Sequence, residues 1–159
     1  MKKQPVADAS EAADARVGFS FYEEDMKALR DLGGALRARG VRAKGVYLLR
    51  ALAHIVPEDE IFAHGVTRNR QEKAGKALPA GEAILRPVAN VLVQDQDKLD
   101  RVSDLLADKA MKGGRSFLMR ALIHAPWELD ALGRDLRKFR KEFPDPRTRE
   151  GRALKTKRV

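Results

Sequence analysis

The chain says the same thing twice. Leu48-Leu49-Arg50-Ala51-Leu52-Ala53-His54 returns seventy positions later as Leu118-Met119-Arg120-Ala121-Leu122-Ile123-His124. The same offset pairs Arg16 with Arg86, Asp25 with Asp95, Leu29 with Leu99, Leu36 with Leu106 and Val41 with Met111. Two copies are too few for a solenoid, which needs several stacked units. The pattern reads as a dimer written as one polypeptide, so the fold question reduces to which half-domain is duplicated.

A length of 159 residues allows one ordinary domain or two very small ones, and two half-domains sharing a core fit it. With no cysteine, disulfide and thiolate chemistry are excluded and a reducing cytoplasm is the expected compartment. The first ten residues lack the apolar stretch of a secretory signal, and no run approaches the roughly 20 apolar residues of a membrane span. The expectation is a soluble, cytoplasmic protein without membrane contact. A net charge of +9 favours polyanionic partners. Residues 134–159 carry eleven Lys/Arg against four Asp/Glu, a net of +7. Two readings of that tail stay open: a solvated end, or a non-specific arm for nucleic-acid phosphates.

Residues 1–15, rich in Ala, Asp and Glu, are expected to be disordered. Arg16 to Tyr22 then alternates, with Val17, Phe19 and Phe21 on one face, which predicts a half-buried strand. The period changes to helical at Met26, Leu29, Leu32 and Leu36, with Glu23, Glu24 and Asp25 at the N-terminus and Gly40 as a stop. A second helix is predicted over 43–55. Residues 57–85 read as a polar linker that is helical in part or not at all. The second copy, 86–125, opens with a strand at Arg86–Val93. A helix with Leu99, Val102 and Leu106 follows, capped by Asp95, and then a shorter helix over 116–125. Residues 126–143 predict an additional amphipathic helix with Trp127, Leu129, Leu132, Leu136 and Phe139 on one face, and 144–159 form the basic tail.

Each copy thus reads strand, helix, break, helix. One strand with two helices satisfies neither its backbone nor its apolar face. Two copies do both: the strands pair antiparallel and the helices cover the face bearing Val17, Phe19 and Phe21 with Ala89, Val91 and Val93. The opposite face presents Arg16, Gly18, Ser20 and Tyr22 from one strand and Arg86, Val88, Asn90 and Leu92 from the other. A two-stranded ribbon fits the DNA major groove.

The order strand, Glu-Glu, helix, Gly-Val, helix with Leu-Leu-Arg-Ala-Leu resembles the ribbon-helix-helix (MetJ/Arc) DNA-binding fold over residues 16–56 and 86–125. The fold it implies is α+β and mainly helical: two tandem units forming an intramolecular pseudo-dimer around an antiparallel ribbon, plus the C-terminal helix. Pro87 and Gly113-Gly114 in the second copy depart from the family pattern, and Tyr22 and Leu92 stand where a proline is frequent. The single-chain tandem form is similar to accessory proteins of conjugative and T-DNA transfer, of the TraY and VirC type. That resemblance implies sequence-specific binding of double-stranded DNA near a transfer origin, as a monomer, beside a relaxase or other DNA-processing protein. It implies base contacts from Arg16, Gly18, Ser20, Arg86, Val88 and Asn90, since Arg pairs with guanine and Asn with adenine. It implies phosphate contacts around the second helix starts, at Arg42, Ala43 and Lys44, and at Lys112, Gly113, Gly114 and Arg115. Non-identical halves suit a non-palindromic site.

The same fold serves transcriptional repressors and plasmid partition or antitoxin-type regulators, whose C-terminal helix would bind a partner protein. An enzyme is not expected, because no nucleophile-base pair, phosphate loop or metal-ligand cluster is visible. Neither a cofactor nor a metal is expected. His54 and His124, at matched positions, read as polar or charged groups near helix C-termini rather than ligands. Arg50 and Arg120 are expected to meet carboxylates, and Trp127 to anchor the extra helix.

Overall fold

Alternation along Val17, Phe19 and Phe21 requires one covered face, and the computed structural model, which describes residues 14–75 and 85–145, shows how it is covered. The ribbon pairs β1 (Asp14–Gly18) antiparallel with β2 (Val88–Leu92), with Arg16 opposite Asn90, Val17 opposite Ala89 and Gly18 opposite Val88. The pairing continues past the strands. The Phe19 N–H donates to the Pro87 carbonyl at 2.9 Å, and Phe21 and Leu85 bond to each other through their main chains. Pro87 has no N–H to return the bond, so it is tolerated where only its carbonyl is used.

Val17, Phe19, Phe21, Ala89 and Val91 are buried as expected. Three assignments are corrected. The strand begins at Asp14, so residues 14 and 15 belong to the ribbon rather than to a disordered segment. Leu92, expected to face outward, is buried, and Val93, expected inward, is exposed. The chain turns from strand to helix between them, which ends the two-residue alternation.

The helices are α1 (Glu23–Ala38), α2 (Gly45–Ile55), α3 (Glu58–Lys73), α4 (Val93–Asp108), α5 (Arg115–Ile123) and α6 (Leu129–Glu142). Helices α1 and α4 start and end seventy residues apart, and α2 and α5 start seventy apart. In α1, the Asp25 carboxylate at the third position accepts from the Tyr22 N–H at 2.8 Å and so caps the helix from inside. Asp95, expected as a cap residue, likewise lies inside the first turn of α4, which begins at Val93. Helix α1 runs through Gly33-Gly34 because a Cβ at Gly33 would stand 3.3 Å from the Ala43 carbonyl and from Lys44; glycine lets the entry to α2 approach. Gly40, with φ of 79°, ends the α1 region in the left-handed conformation expected of a helix stop.

Helix α3 lies inside the polar linker of 57–85, where the sequence left the matter open. Its buried residues are Ile61, Gly65 and Arg68, one turn apart in succession. Helix α6 buries Leu132, Gly133, Leu136 and Phe139, and Glu128 caps it by accepting from the Asp130 and Ala131 N–H groups. Trp127 precedes α6, half-buried, and its indole N–H donates to the Leu122 carbonyl at 2.8 Å. Packing is reciprocal. Helix α3, from the first half of the sequence, lies on α4 and α5; α6, from the second half, lies on α1 and α2. One continuous core joins the ribbon's inner face to all six helices. Residues 1–13, 76–84 and 146–159 lie outside the described residues, and with them most of the expected N-terminal segment, part of the linker and nearly all of the basic tail.

Candidate nucleic-acid interface

The six residues expected to contact bases lie together on the ribbon's open face, in three cross-strand rows. Arg16 faces Asn90 and Gly18 faces Val88. Ser20 faces Arg86, whose Nη1 stands 3.4 Å from the Ser20 hydroxyl. The middle row joins two residues seventy apart in sequence, so each outer row joins an arginine of one strand to the counterpart of its own equivalent's partner. At about 3.3 Å of rise per residue, Arg16 to Ser20 spans roughly 13 Å, close to the ~12 Å width of the major groove.

The rows are held from behind. Arg50 of α2 donates to the Asn90 carbonyl at 2.7 Å and pairs with Asp14 at 2.9 Å, which ties down that carboxylate at this end of the ribbon. On the other strand the Ser20 N–H donates to the Ser116 hydroxyl at 2.8 Å, joining the start of α5 to the ribbon. Val88, 43% exposed, is an apolar group at the centre of a polar face. Opposite it, Gly18 leaves open space where a side chain would be. Tyr22, expected on this face, is half-buried beneath the Arg120 guanidinium, 4.7 Å from its ring centre.

The two sets of expected phosphate contacts differ. Arg42 and Lys44, before α2, are exposed and have no carboxylate partner among the described residues, while Ala43 is buried and offers only its backbone. Before α5 the groups are already engaged. The Lys112 N–H donates to Asn69 Oδ1 at 3.0 Å, its carbonyl accepts from Asn69 Nδ2 at 2.9 Å, and its ammonium lies 3.3 Å from Glu72. Gly113 is buried against Leu106, which stands 2.8 Å from where its Cβ would be, and its carbonyl accepts from the Ser103 hydroxyl. Arg115 grips Asp100 with two bonds of 2.7 Å, which lower the Asp100 pKa and raise that of Arg115. Of this set only Gly114 is both exposed and without such a contact. The two sets are therefore not equivalent in their surroundings: Asn69 and Glu72 of α3, whose position sequence did not reveal, meet Lys112, and Asp100 of α4 meets Arg115.

The paired histidines and arginines form a different kind of site. Asp25 receives Arg120 at 2.9 Å and His124 at 2.7 Å, and Asp95 receives His54 at 2.9 Å. The expected carboxylate partners of Arg50 and Arg120 are therefore Asp14 and Asp25. Sequence reasoning noted the matched Asp25/Asp95, Arg50/Arg120 and His54/His124 positions without joining them; their shared offset was the available signal. No group of three or more His, Cys, Asp or Glu that could hold a metal ion occurs among the described residues. None of their helices is long and apolar enough to cross a membrane. Leu132, Gly133, Leu136 and Phe139 of α6 are buried, and the helix lies against α1 and α2. No protein-family model, curated protein or solved structure matches the chain.

Proposed function

We propose that this chain is a sequence-specific double-stranded DNA-binding protein of ribbon-helix-helix type, a single-chain pseudo-dimer that reads the major groove with the β1/β2 ribbon. The observation that carries this reading is the register. A ribbon centred on Gly18 and Val88 presents Arg16, Asn90, Ser20 and Arg86 on a face that no other element of the described residues covers. Arginine offers a bidentate fork to guanine O6/N7 and asparagine to adenine N6/N7, each good pair discriminating by about 1–3 kcal/mol. Val88 supplies an apolar contact suited to a thymine methyl. The open Arg42 and Lys44 add phosphate anchoring on one flank. Because the flanks differ, the preferred site is not a palindrome.

The physiological role we propose is that of an accessory factor at a DNA-transfer origin, acting beside a relaxase. It follows the tandem form's similarity to TraY- and VirC-type proteins. A repressor or partition regulator on the same fold uses the same ribbon chemistry, and the location of the bound site decides between them. The test is selection from random duplexes with the full-length protein, followed by titrations at two salt concentrations. A defined motif whose binding is lost in Arg16→Ala and Asn90→Ala supports ribbon readout. Sequence-blind, salt-sensitive binding that survives both substitutions refutes it.

A further inference from the structure

Phe19 and Phe21 bond across the ribbon to Pro87 and Leu85. By alternation, the Ser20/Arg86, Gly18/Val88 and Arg16/Asn90 rows turn their main-chain groups toward the ribbon's outer edges. In each of the two outer rows a helix takes up one of these edge groups. The Asn90 carbonyl accepts from Arg50 of α2 at 2.7 Å, and the Ser20 N–H donates to the Ser116 hydroxyl of α5 at 2.8 Å. The two fastenings are not equivalent. The Arg50 side chain is 15% exposed, and the nitrogen that holds Asn90 of β2 also meets Asp14 of β1 at 2.9 Å. One guanidinium therefore clamps both strands at this end.

The repeat explains why only one end has such a clamp. Arg120, seventy positions after Arg50, turns to Asp25 and lies over the Tyr22 ring. Asp14 has Ile84 as its counterpart, so no carboxylate at that position draws Arg120 to the ribbon. Asp95 has Lys98 3.8 Å away, whereas Asp25 has Ala28 at the matched place and takes the guanidinium instead. Val46 stands in the first half where the second has Ser116, and it offers no acceptor.

We infer that Arg50 is a positioning residue for base readout, and that its clamp on Asp14 and the Asn90 main chain makes the Arg16/Asn90 end the discriminating end of the ribbon. The inference rests on the DNA reading. Arg50 reaches the ribbon from α2, which packs on β2, and acts through Asn90 rather than on a base. A bidentate asparagine–adenine pair works only if the side chain's backbone is held to within about 0.5 Å. Arg50 holds the peptide group that follows the Asn90 side chain. The Ser20/Arg86 end, fastened by one hydroxyl, adapts more and discriminates less.

The test starts from the motif selected with the full-length protein. Base positions that lose preference in Asn90→Ala mark one end, and those that lose it in Arg86→Ala mark the other. Arg50→Met combined with Asp14→Asn keeps the net charge, because one cation and one anion go together. Expected is a fall on the order of tenfold in discrimination at the Asn90 end, with the Arg86 end and the salt slope unchanged. Arg50→Lys, which keeps charge and donors, should restore most of it. Asp14→Asn alone, at a side chain 42% exposed, should give a smaller fall at the same end, and it still reads the clamp if the double variant unfolds. The inference is overturned if discrimination is unchanged in these variants, or falls equally at both ends. It is also overturned if affinity drops alike for every sequence and the salt slope falls by about one, which would make Arg50 a phosphate contact. A wild-type protein without base preference overturns the DNA reading and this inference with it. A wild-type preference untouched by the variants overturns this inference alone.

Discussion

The Asp25 carboxylate, buried at the start of α1, accepts a hydrogen bond of 2.7 Å from Nε2 of His124, ninety-nine residues away at the end of α5. The converse contact joins Asp95 of α4 to His54 of α2 at 2.9 Å. Each acid begins a helix in one half of the sequence and is met by a histidine from the other. Asp25 also holds Arg120, which is itself buried.

Removing that acid should therefore be far worse than losing a surface ion pair. Asp25→Ala leaves the Arg120 guanidinium buried without its carboxylate, and stability should fall by about 3–5 kcal/mol. Lys27→Ala, which breaks only the exposed pair with Asp31, should change it by less than about 1 kcal/mol. Urea denaturation followed by the single tryptophan measures both.

Asp25 and His64 each give stability a window of pH dependence. Burial pushes the Asp25 carboxyl up, but the hydrogen bonds from His124 and Tyr22 and the Arg120 charge together outweigh it, leaving it below 3.8. The unfolded chain then binds the extra proton first, so this stabilisation is present above pH 3.8 and is lost as pH falls through the lower folded value. His64 shifts the same way for another reason: burial lowers it below 6.5 against the opposing charge of Glu60. Stability should therefore decline as pH drops from 6.5 toward the folded value, and His64→Gln should abolish that part alone. Thermal unfolding against pH, read from Trp127 beside His64, resolves the two steps.

Two glycines in helices should respond with opposite signs. A Cβ at Gly65 would stand 2.8 Å from a Leu106 methyl and 3.2 Å from a Leu118 methyl, so in Gly65→Ala these two buried side chains must repack, which should cost about 1–3 kcal/mol. At Gly34 the added atom meets nothing, and Gly34→Ala should stabilise by about 0.4–1 kcal/mol through helix propensity. Denaturant midpoints at constant slope show the split.

Should the ribbon bind DNA as proposed, its flanks should differ in salt dependence. Arg42→Ala with Lys44→Ala should reduce the slope of log affinity against log salt by about two. Lys112→Ala with Arg115→Ala should leave it nearly unchanged, because those side chains already face Glu72 and Asp100. Equal losses on both flanks would show that the internal pairs open on binding.

The ribbon's inner face, α1, α2, α4, α5 and most of α6 could be read from periodicity, because Val17, Phe19 and Phe21 or Leu29, Leu32 and Leu36 announce a face by spacing alone. Helix α3 could not. Its buried stripe of Ile61, Gly65 and Arg68 contains one ordinary apolar residue, and Gly65 is buried because two leucines from distant helices press on it. Its acidic first turn, Glu58, Asp59 and Glu60, and basic last turn, Arg70 and Lys73, were visible dipole signals in a segment otherwise read as polar. The open-face residues were legible for the same reason as the core: alternation assigns both faces at once. It failed at Tyr22, Leu92 and Val93, where each strand gives way to its helix.

By itself the sequence determined which residues turn inward and that the pattern is written twice, since side-chain direction follows local backbone period and needs no neighbour. Tertiary structure alone decided which cations remain open. Arg115 is neutralised by Asp100, and the Lys112 backbone and side chain are held by Asn69 and Glu72, whereas Arg42 and Lys44 meet no such partners among the described residues. A charge's availability depends on what the fold brings within a few ångströms, and α3 brings Asn69 and Glu72 to Lys112 from 43 and 40 positions away in the chain.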